Sequence, residues 1–419
     1  MRRGLLTLLS LCQEGASSVT GFDRASLLDY PIYKLCGKRV FVRADLNDPA
    51  DSDGNLTGDM RLRAVVPTLA YLCAAKAKVI LASHFGRPKN KESNFSLKGV
   101  RKKLSEMLNF NINFIAECNG KELEDFIANS LKDGEILLIE NLRFCPGETK
   151  NDMHYAKYLA SLADIFVQEA FGACHREHAS IASMPKLLPS FAGFLLEKEV
   201  VALSKILKSP ERPFLLILGG KKVSDKIKLI NNMIEKVDTI CIGGGMAFAF
   251  LRASGYDVGK SFVEDSIDDV ARQILYKAGE IGKKIILPVD VLVAKDIFSG
   301  SECRLVDAHR IPADWYGVDI GPKTLEIFKE EIMKAKTILW NGPMGIFEIP
   351  EFSWGSRALA LSIALSDAVS VCGGGDTADV LRLTNLINYF SHVSTGGGAA
   401  LKFLEGERLP GIDALPKKM

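Results

Sequence analysis

Along the chain, short and almost wholly apolar runs alternate with longer stretches in which apolar positions recur every three or four residues. The apolar runs in the first half are KRVFVRADL (38–46), AKVILASHF (77–85), EILLIENLRF (135–144) and ADIFVQEAF (163–171). Those in the second are PFLLILGG (213–220), VDTICIGGG (237–245), KKIILPVDVLVA (283–294), KTILWNG (336–342) and AVSVCGGG (368–375). They are rich in Val and Ile and lack polar alternation, as strands buried on both faces must. Between them, RAVVPTLAYLCAA and DSIDDVARQILYKAGEIG carry the 3.6-residue period of amphipathic helices. Regular strand–helix alternation predicts parallel sheets with crossover helices, and such sheets bind ligands beyond the carboxyl ends of their strands.

A chain of 419 residues exceeds one ordinary core, so two domains are expected. LLEKEVVALSKILKS reads as a helix and is followed by PERP before the next buried run, placing a joint near 195–212. The predicted fold is α/β: two doubly wound parallel-sheet domains of similar size, 25–194 and 195–404, joined by a helix with a cleft between them. Residues 1–24 read as a poorly ordered extension, because MRRGLLTLLSLCQEGASS has an apolar run of only about eight residues, short for a secretory leader. The tail, 405–419, is free to pack back on the first domain.

Composition changes this picture little. The formal net charge is +2, so no global field draws the chain to nucleic acid or to a membrane, and anion affinity has to come from local clusters. Nine scattered cysteines without a CxxC pair argue against a zinc site and a disulfide framework and fit a reducing, cytoplasmic compartment.

The chemistry divides between the halves. Strand ends in the second half carry glycine: GGKKVSDK (219–226), GGGMAF (243–248), NGPMG (341–345), GGGDT (373–377) and STGGGAA (394–400). Any one of these is ordinary turn geometry. Together they offer backbone amides at strand-to-helix turns, the arrangement that cradles phosphate. Strand ends in the first half carry cations instead, in RADLN (43–47), SHFGRP (83–88), ENLRF (140–144) and HREH (175–178). A lone arginine there is a surface ion pair, but Arg61, Arg87, Arg143 and Arg176 as a set suit a small polyanion. His175 and His178 stand at i, i+3 with no recognised metal-ligand spacing, which leaves a metal cage weakly supported. GYDVGKS (255–261) imitates a P-loop but is one residue short between its glycines, and no GxGxxG turn occurs.

In order, RADLNDP, SHFGRP, ENLRF, AFGACHREHAS, GGKKVSDKI, GGGMAF, WNGPMGIFE, GGGDT and STGGGAA resemble the signature segments of the phosphoglycerate kinase family, from about residue 25 to the C-terminus. The resemblance implies reversible phosphoryl transfer between 1,3-bisphosphoglycerate and ADP, giving 3-phosphoglycerate and ATP with Mg2+, in a monomer whose cleft closes by hinge bending. It implies that Asp45, Leu46, Asn47, Arg61, His84, Phe85, Gly86, Arg87, Arg143 and Arg176 bind the triose. It implies that Lys222, Lys226, Gly244, Gly317, Asn341, Glu348, Gly374, Gly375, Asp376 and Thr377 bind the nucleotide, Asp376 also holding the metal. Arg61, Lys222, Lys226, Gly397 and Gly398 would surround the moving phosphoryl group. Three residues depart from the family's pattern: Asp48 follows the Asn where an apolar residue is usual, and Lys221 and Glu177 replace small ones. The rival readings are a ligase or dehydrogenase on the same layout, and a silent relative that kept the fold. The missing GxGxxG and the retained cleft charges weigh against them.

Overall fold

The computed structural model describes residues 22–418 apart from 52, 53 and 55, so the expectation for the N-terminal extension falls almost wholly outside the described residues. Two compact units divide the chain: one runs to Val201 and takes in the chain again from Arg408, the other is Ala202–Glu407.

The first unit contains β1 (Arg39–Arg43), α1 (Met60–Ala74), β2 (Lys78–Ala82), α2 (Lys98–Leu108), β3 (Ile112–Ile115), α3 (Lys121–Asn129), β4 (Ile136–Ile139), α4 (Met153–Ser161), β5 (Ile165–Gln168) and β6 (Ser190–Ala192). Its strands form one parallel sheet in the order β3-β4-β2-β1-β5-β6, with Val42 beside Leu81 and Val167 at the centre. Side chains alternate across that sheet. Val40 and Val42 enter a cluster with Leu62, Leu69 and Leu72 of α1, while Phe41 packs on the other face with Leu159 of α4. The chain end joins this unit: the Ala25 amide donates to the Pro416 carbonyl at 2.9 Å, and Arg24 pairs with Asp413 at 3.0 Å.

α5 (Phe194–Lys208) carries the chain from the first unit into the second. There follow β7 (Phe214–Leu218), α6 (Ile227–Met233), β8 (Thr239–Ile242), α7 (Met246–Ala253), α8 (Asp268–Glu280), β9 (Lys284–Ile286), β10 (Asp290–Ala294), β11 (Cys303–Asp307), β12 (Tyr316–Ile320), α9 (Pro322–Lys334), β13 (Thr337–Asn341), α10 (Trp354–Ala364), β14 (Val369–Gly373), α11 (Gly375–Leu383), β15 (His392–Val393) and α12 (Gly398–Leu404). A second parallel sheet has the order β15-β14-β13-β7-β8-β9. Trp340 and Phe328 are fully buried in its core.

The two parallel α/β sheets agree with the sequence reading, and several details differ from it. The run 283–294 is two strands in two sheets, because Pro288 lies between them and offers no N–H to a ladder. β10 instead pairs antiparallel with β11 and β12, a small sheet that the apolar pattern does not announce because β11 is largely exposed. β3, β6 and β15 are short edge strands. The cysteine reading also needs correction: Cys118 and Cys145 form a disulfide, joining the segment after β3 to the segment after β4. Both are buried, and 27 positions of sequence hid a juxtaposition that the neighbouring strands create. Among the described residues no helix is long and apolar enough to cross a membrane.

Candidate active site

In the first unit the candidate residues gather beyond the carboxyl ends of β1, β2, β4 and β5. β1 ends at Arg43, and Ala44, Asp45 and Leu46 after it stay buried. The Leu46 amide donates to Ser83 Oγ at 3.0 Å and Asn47 Oδ1 accepts from the Gly86 amide at 2.7 Å, which ties the loop after β1 to the loop after β2. The loop after β4 joins them, since Arg143 donates to the Gly86 carbonyl and Asn141 Nδ2 to the Phe85 carbonyl at 2.8 Å. Leu46 and Phe85 therefore pack into the core, and what they present to a ligand is backbone.

The cations in this group repel one another. Burial pushes Arg143 down to about 10, and Arg176 and Arg43 push it the same way. Burial and then Arg87 lower Arg176. His84 is held well below the ordinary imidazole range by burial, with Arg43, Arg143 and Arg176 adding to it. His178 falls to about 3 for the same reasons, burial first, so both rings are neutral at pH 7. Arg143 Nε is buried with no hydrogen-bond partner, and Arg61 Nε has only an ion contact with Asp45 at 3.5 Å. A set of half-desolvated arginines crowding one another is stabilised by an anion, and neutral histidines beside them can donate a hydrogen bond to it.

Beneath this patch lies a buried pair that the sequence reading passes over. Arg43 and Glu148 are both wholly buried and face each other at 3.8 Å. Arg43 Nε donates to Ser180 Oγ at 2.8 Å, and Glu148 accepts from the Ser180 hydroxyl at 2.6 Å and amide at 3.0 Å. Arg43 Nη2 also lies 3.4 Å from His84 Nδ1. A charged residue closing an otherwise apolar strand was the visible sign of Arg43. Nothing in CPGETKN singles out Glu148.

In the second unit the glycine-rich turns meet at the ends of β7, β8, β13 and β14. An added Cβ on Gly342 would lie 2.2 Å from the Gly219 carbonyl, and one on Gly244 would lie 2.6 Å from both the Pro343 carbonyl and the Gly220 nitrogen. Both positions have positive φ, so these backbones touch only because the side chains are absent. Gly374, at φ +96°, turns β14 into α11, and Gly375 then opens onto free space beside Asp376, which is exposed in the first turn. Thr377 is fully buried and its Oγ1 accepts from the Gly342 amide at 2.7 Å. Lys226 donates to Asn341 Oδ1; burial lowers it, while Asp225, Asp376 and Glu405 pull the other way. Lys222 and Glu348 are exposed. Gly317 lies in β12, where a Cβ would strike the Phe248 ring at 2.0 Å. Gly397, at φ +50° and open, precedes Gly398 at the start of α12.

The motifs that carry these residues have the order of one known family. The phosphoglycerate kinase profile matches residues 32–407. A phosphoglycerate kinase of Dictyoglomus turgidum is 49% identical over 396 residues, covering 94% of this chain and all of the relative. That of Thermosipho africanus is 48% identical over 389 residues, covering 92% and 96%. The solved phosphoglycerate kinase of Coxiella burnetii superposes with a TM-score of 0.83 at 40% identity, covering 93% of this chain and 98% of that one. The chain belongs to the phosphoglycerate kinase family. It is accordingly a phosphotransferase with a carboxyl group as acceptor, and its reaction is the reversible phosphoryl transfer of glycolysis.

Membership alters how two departures read. Lys221 sets its ammonium 4.5 Å from the centre of the Phe262 ring. Asp48 is not a loose negative charge beside an anion site: both of its oxygens are engaged by backbone amides.

Proposed function

We propose that the unit ending at Val201 takes 3-phosphoglycerate or 1,3-bisphosphoglycerate, that the unit Ala202–Glu407 takes ADP or ATP, and that in-line transfer occurs when the two close on each other. The observation that carries the first half is the crowding of guanidiniums at Arg143 and Arg176, where burial and then a neighbouring arginine (Arg176 for Arg143, Arg87 for Arg176) disfavour the charged form and His84 is kept neutral. A triose bearing a phosphate and a carboxylate relieves that repulsion. Asp45 and Asn47 orient its hydroxyl and carboxyl end, while His84, Gly86 and Arg87 meet it from the adjoining loop.

Phosphoryl transfer asks for position and for neutralisation of charge on the equatorial oxygens rather than for covalent help from the protein. Arg61 and Lys226 are the cations suited to that task, with the amides of Gly397 and Gly398 completing the cradle. Gly374, Gly375 and Thr377 line the nucleotide phosphates, Lys222 and Asn341 flank them, Glu348 takes the ribose hydroxyls, and Gly244 and Gly317 border the base. Closure also shields the acyl phosphate from water.

Among the described residues no three His, Cys, Asp or Glu side chains gather to hold a metal. That suits Mg2+, which keeps its waters and is bound by one or two carboxylates together with substrate phosphates. Asp376, exposed beside the open Gly375, is the carboxylate we assign to it, and the ion would neutralise charge on the phosphate chain. We further read the protein as a cytoplasmic monomer acting on small molecules, without nucleic-acid or membrane partners; size-exclusion chromatography and fractionation test those statements.

The decisive experiment is a coupled assay of ATP formation from ADP and 1,3-bisphosphoglycerate with the purified chain. A raised KM for the triose in Arg143→Ala, or sharply weakened magnesium-dependent turnover in Asp376→Asn, supports the assignment. Parent-like turnover in both variants overturns it.

A further inference from the structure

Asp48 is 4% exposed, and a carboxylate that deep in a protein needs partners. It has two. Oδ1 accepts from the backbone amide of Arg61 and Oδ2 from that of Leu62, each at 3.0 Å. These amides belong to the first turn of α1, where no donor has an intrahelical acceptor. The residue at the N-cap position, Asp59, makes no side-chain cap and pairs with Arg63 at 2.8 Å instead. The cap thus comes from the loop after β1, 13 positions upstream.

That same loop holds the Arg61 side chain. Its Nη1 donates to the Asn47 carbonyl at 2.6 Å, and its Nε lies 3.5 Å from Asp45 Oδ2. Three residues within four positions, Asp45, Asn47 and Asp48, therefore register both the backbone and the guanidinium of Arg61. Without Asp48 the helix start is free to shift on the loop, carrying the Arg61 backbone and drawing its guanidinium off its contacts with the Asn47 carbonyl and Asp45.

We propose that Asp48 is a positioning residue, seating the first turn of α1 on the loop after β1 and so setting where the Arg61 guanidinium meets the transferring phosphoryl group. The proposal rests on the role given to Arg61 above. A displacement of about 1 Å in a group that acts on a transition state costs up to about 10²-fold in rate.

A mutant cycle tests it, with kcat and KM measured from ATP and 3-phosphoglycerate and thermal unfolding followed in parallel. Asp48→Val should lower kcat about tenfold with KM for ATP changed less than about twofold. Asp48→Asn keeps one acceptor oxygen and should lose about threefold. Arg61→Ala should lose about 10²–10³-fold, as removal of one preorganised charge does. In the Arg61→Ala background Asp48→Val should cost nothing further in kcat, because a positioning residue has nothing left to position. The proposal is overturned if Asp48→Val keeps the parent kcat and only melts earlier, or if the double variant falls by the product of the single losses. Parent-like turnover in Arg61→Ala overturns this proposal and the role of Arg61 together, whereas a normal Asp48→Val beside a crippled Arg61→Ala overturns this proposal alone. Should Asp48→Val not fold, Asp48→Asn and its double variant carry the same comparison.

Discussion

Glu148→Gln isolates the charge of the buried pair beneath the cation patch. Arg43 and Glu148 stand 3.8 Å apart with neither side chain exposed. At that distance and an effective dielectric near 20, the attraction is about 4 kcal/mol. Glutamine keeps the shape and one acceptor oxygen, so part of the hydrogen bonding to Ser180 survives and the loss is mainly of charge. Removing one member of a buried pair typically costs about 3–5 kcal/mol, because the other charge is stranded. We expect about 3–4 kcal/mol here, toward the lower side since Arg43 keeps its bond to Ser180. In a unit of roughly 200 residues, each kcal/mol lowers Tm by about 2–4 °C, so the first unit should melt roughly 6–16 °C earlier. Differential scanning calorimetry of parent and variant reads this directly. Arg43→Met combined with Glu148→Leu should recover most of the loss, since an apolar pair of similar volume strands no charge. A shift of less than about 2 °C in Glu148→Gln, or a double variant less stable than the single one, refutes the reasoning.

Arg143→Ala should mainly raise KM for 3-phosphoglycerate, by about tenfold or more, because we assign Arg143 to the triose rather than to the moving group; steady-state kinetics that show a fall in kcat alone count against that assignment. Asp376→Asn should sharply weaken magnesium-dependent nucleotide use while leaving Tm within about 1 °C, since a neutral amide is a poor ligand for a hard cation; an unaltered magnesium titration refutes the metal role. Glu169 is buried, accepts from Thr68 and from the Leu195 amide at the start of α5, and is raised by burial from 4.5 to about 7. A carboxyl raised in the fold favours folding below its unfolded value and loses that contribution as pH rises toward 7. The parent should therefore lose about 3 kcal/mol relative to Glu169→Gln between pH 4.5 and 7, and parallel denaturation curves for the two proteins across that range would contradict the assignment. Reducing Cys118–Cys145 reopens a loop spanning 27 positions and should lower stability by about 3 kcal/mol; a Tm indifferent to dithiothreitol argues that the bond is absent in solution.

Much of this protein is set by local rules that a sequence displays. Apolar runs without alternation can only be buried strands, and Phe41, Leu216 and Leu339 are wholly enclosed as that pattern requires. Glycines after such strands mark turns that approach other backbone, and Gly342 and Gly244 do so. Ordered motifs of this length also carried the family, because each one combines a strand end with the side chains of a loop. Other features arise only when distant segments are brought side by side. β11 is largely exposed and β12 carries Gly317 and Asp319 among its apolar residues, so both read as loop until β10 lies between them. Cys118 meets Cys145 because β3 and β4 are neighbours in the sheet, a fact of strand order rather than of spacing. Glu148 acquires its meaning from Arg43, more than a hundred positions away, and Asp48 acquires its own from the amides at the start of α1. Hydrophobic period and turn chemistry act over a few residues and are therefore written in the chain. The partner of a buried charge depends on which strand ends lie together, so only the tertiary structure decides it.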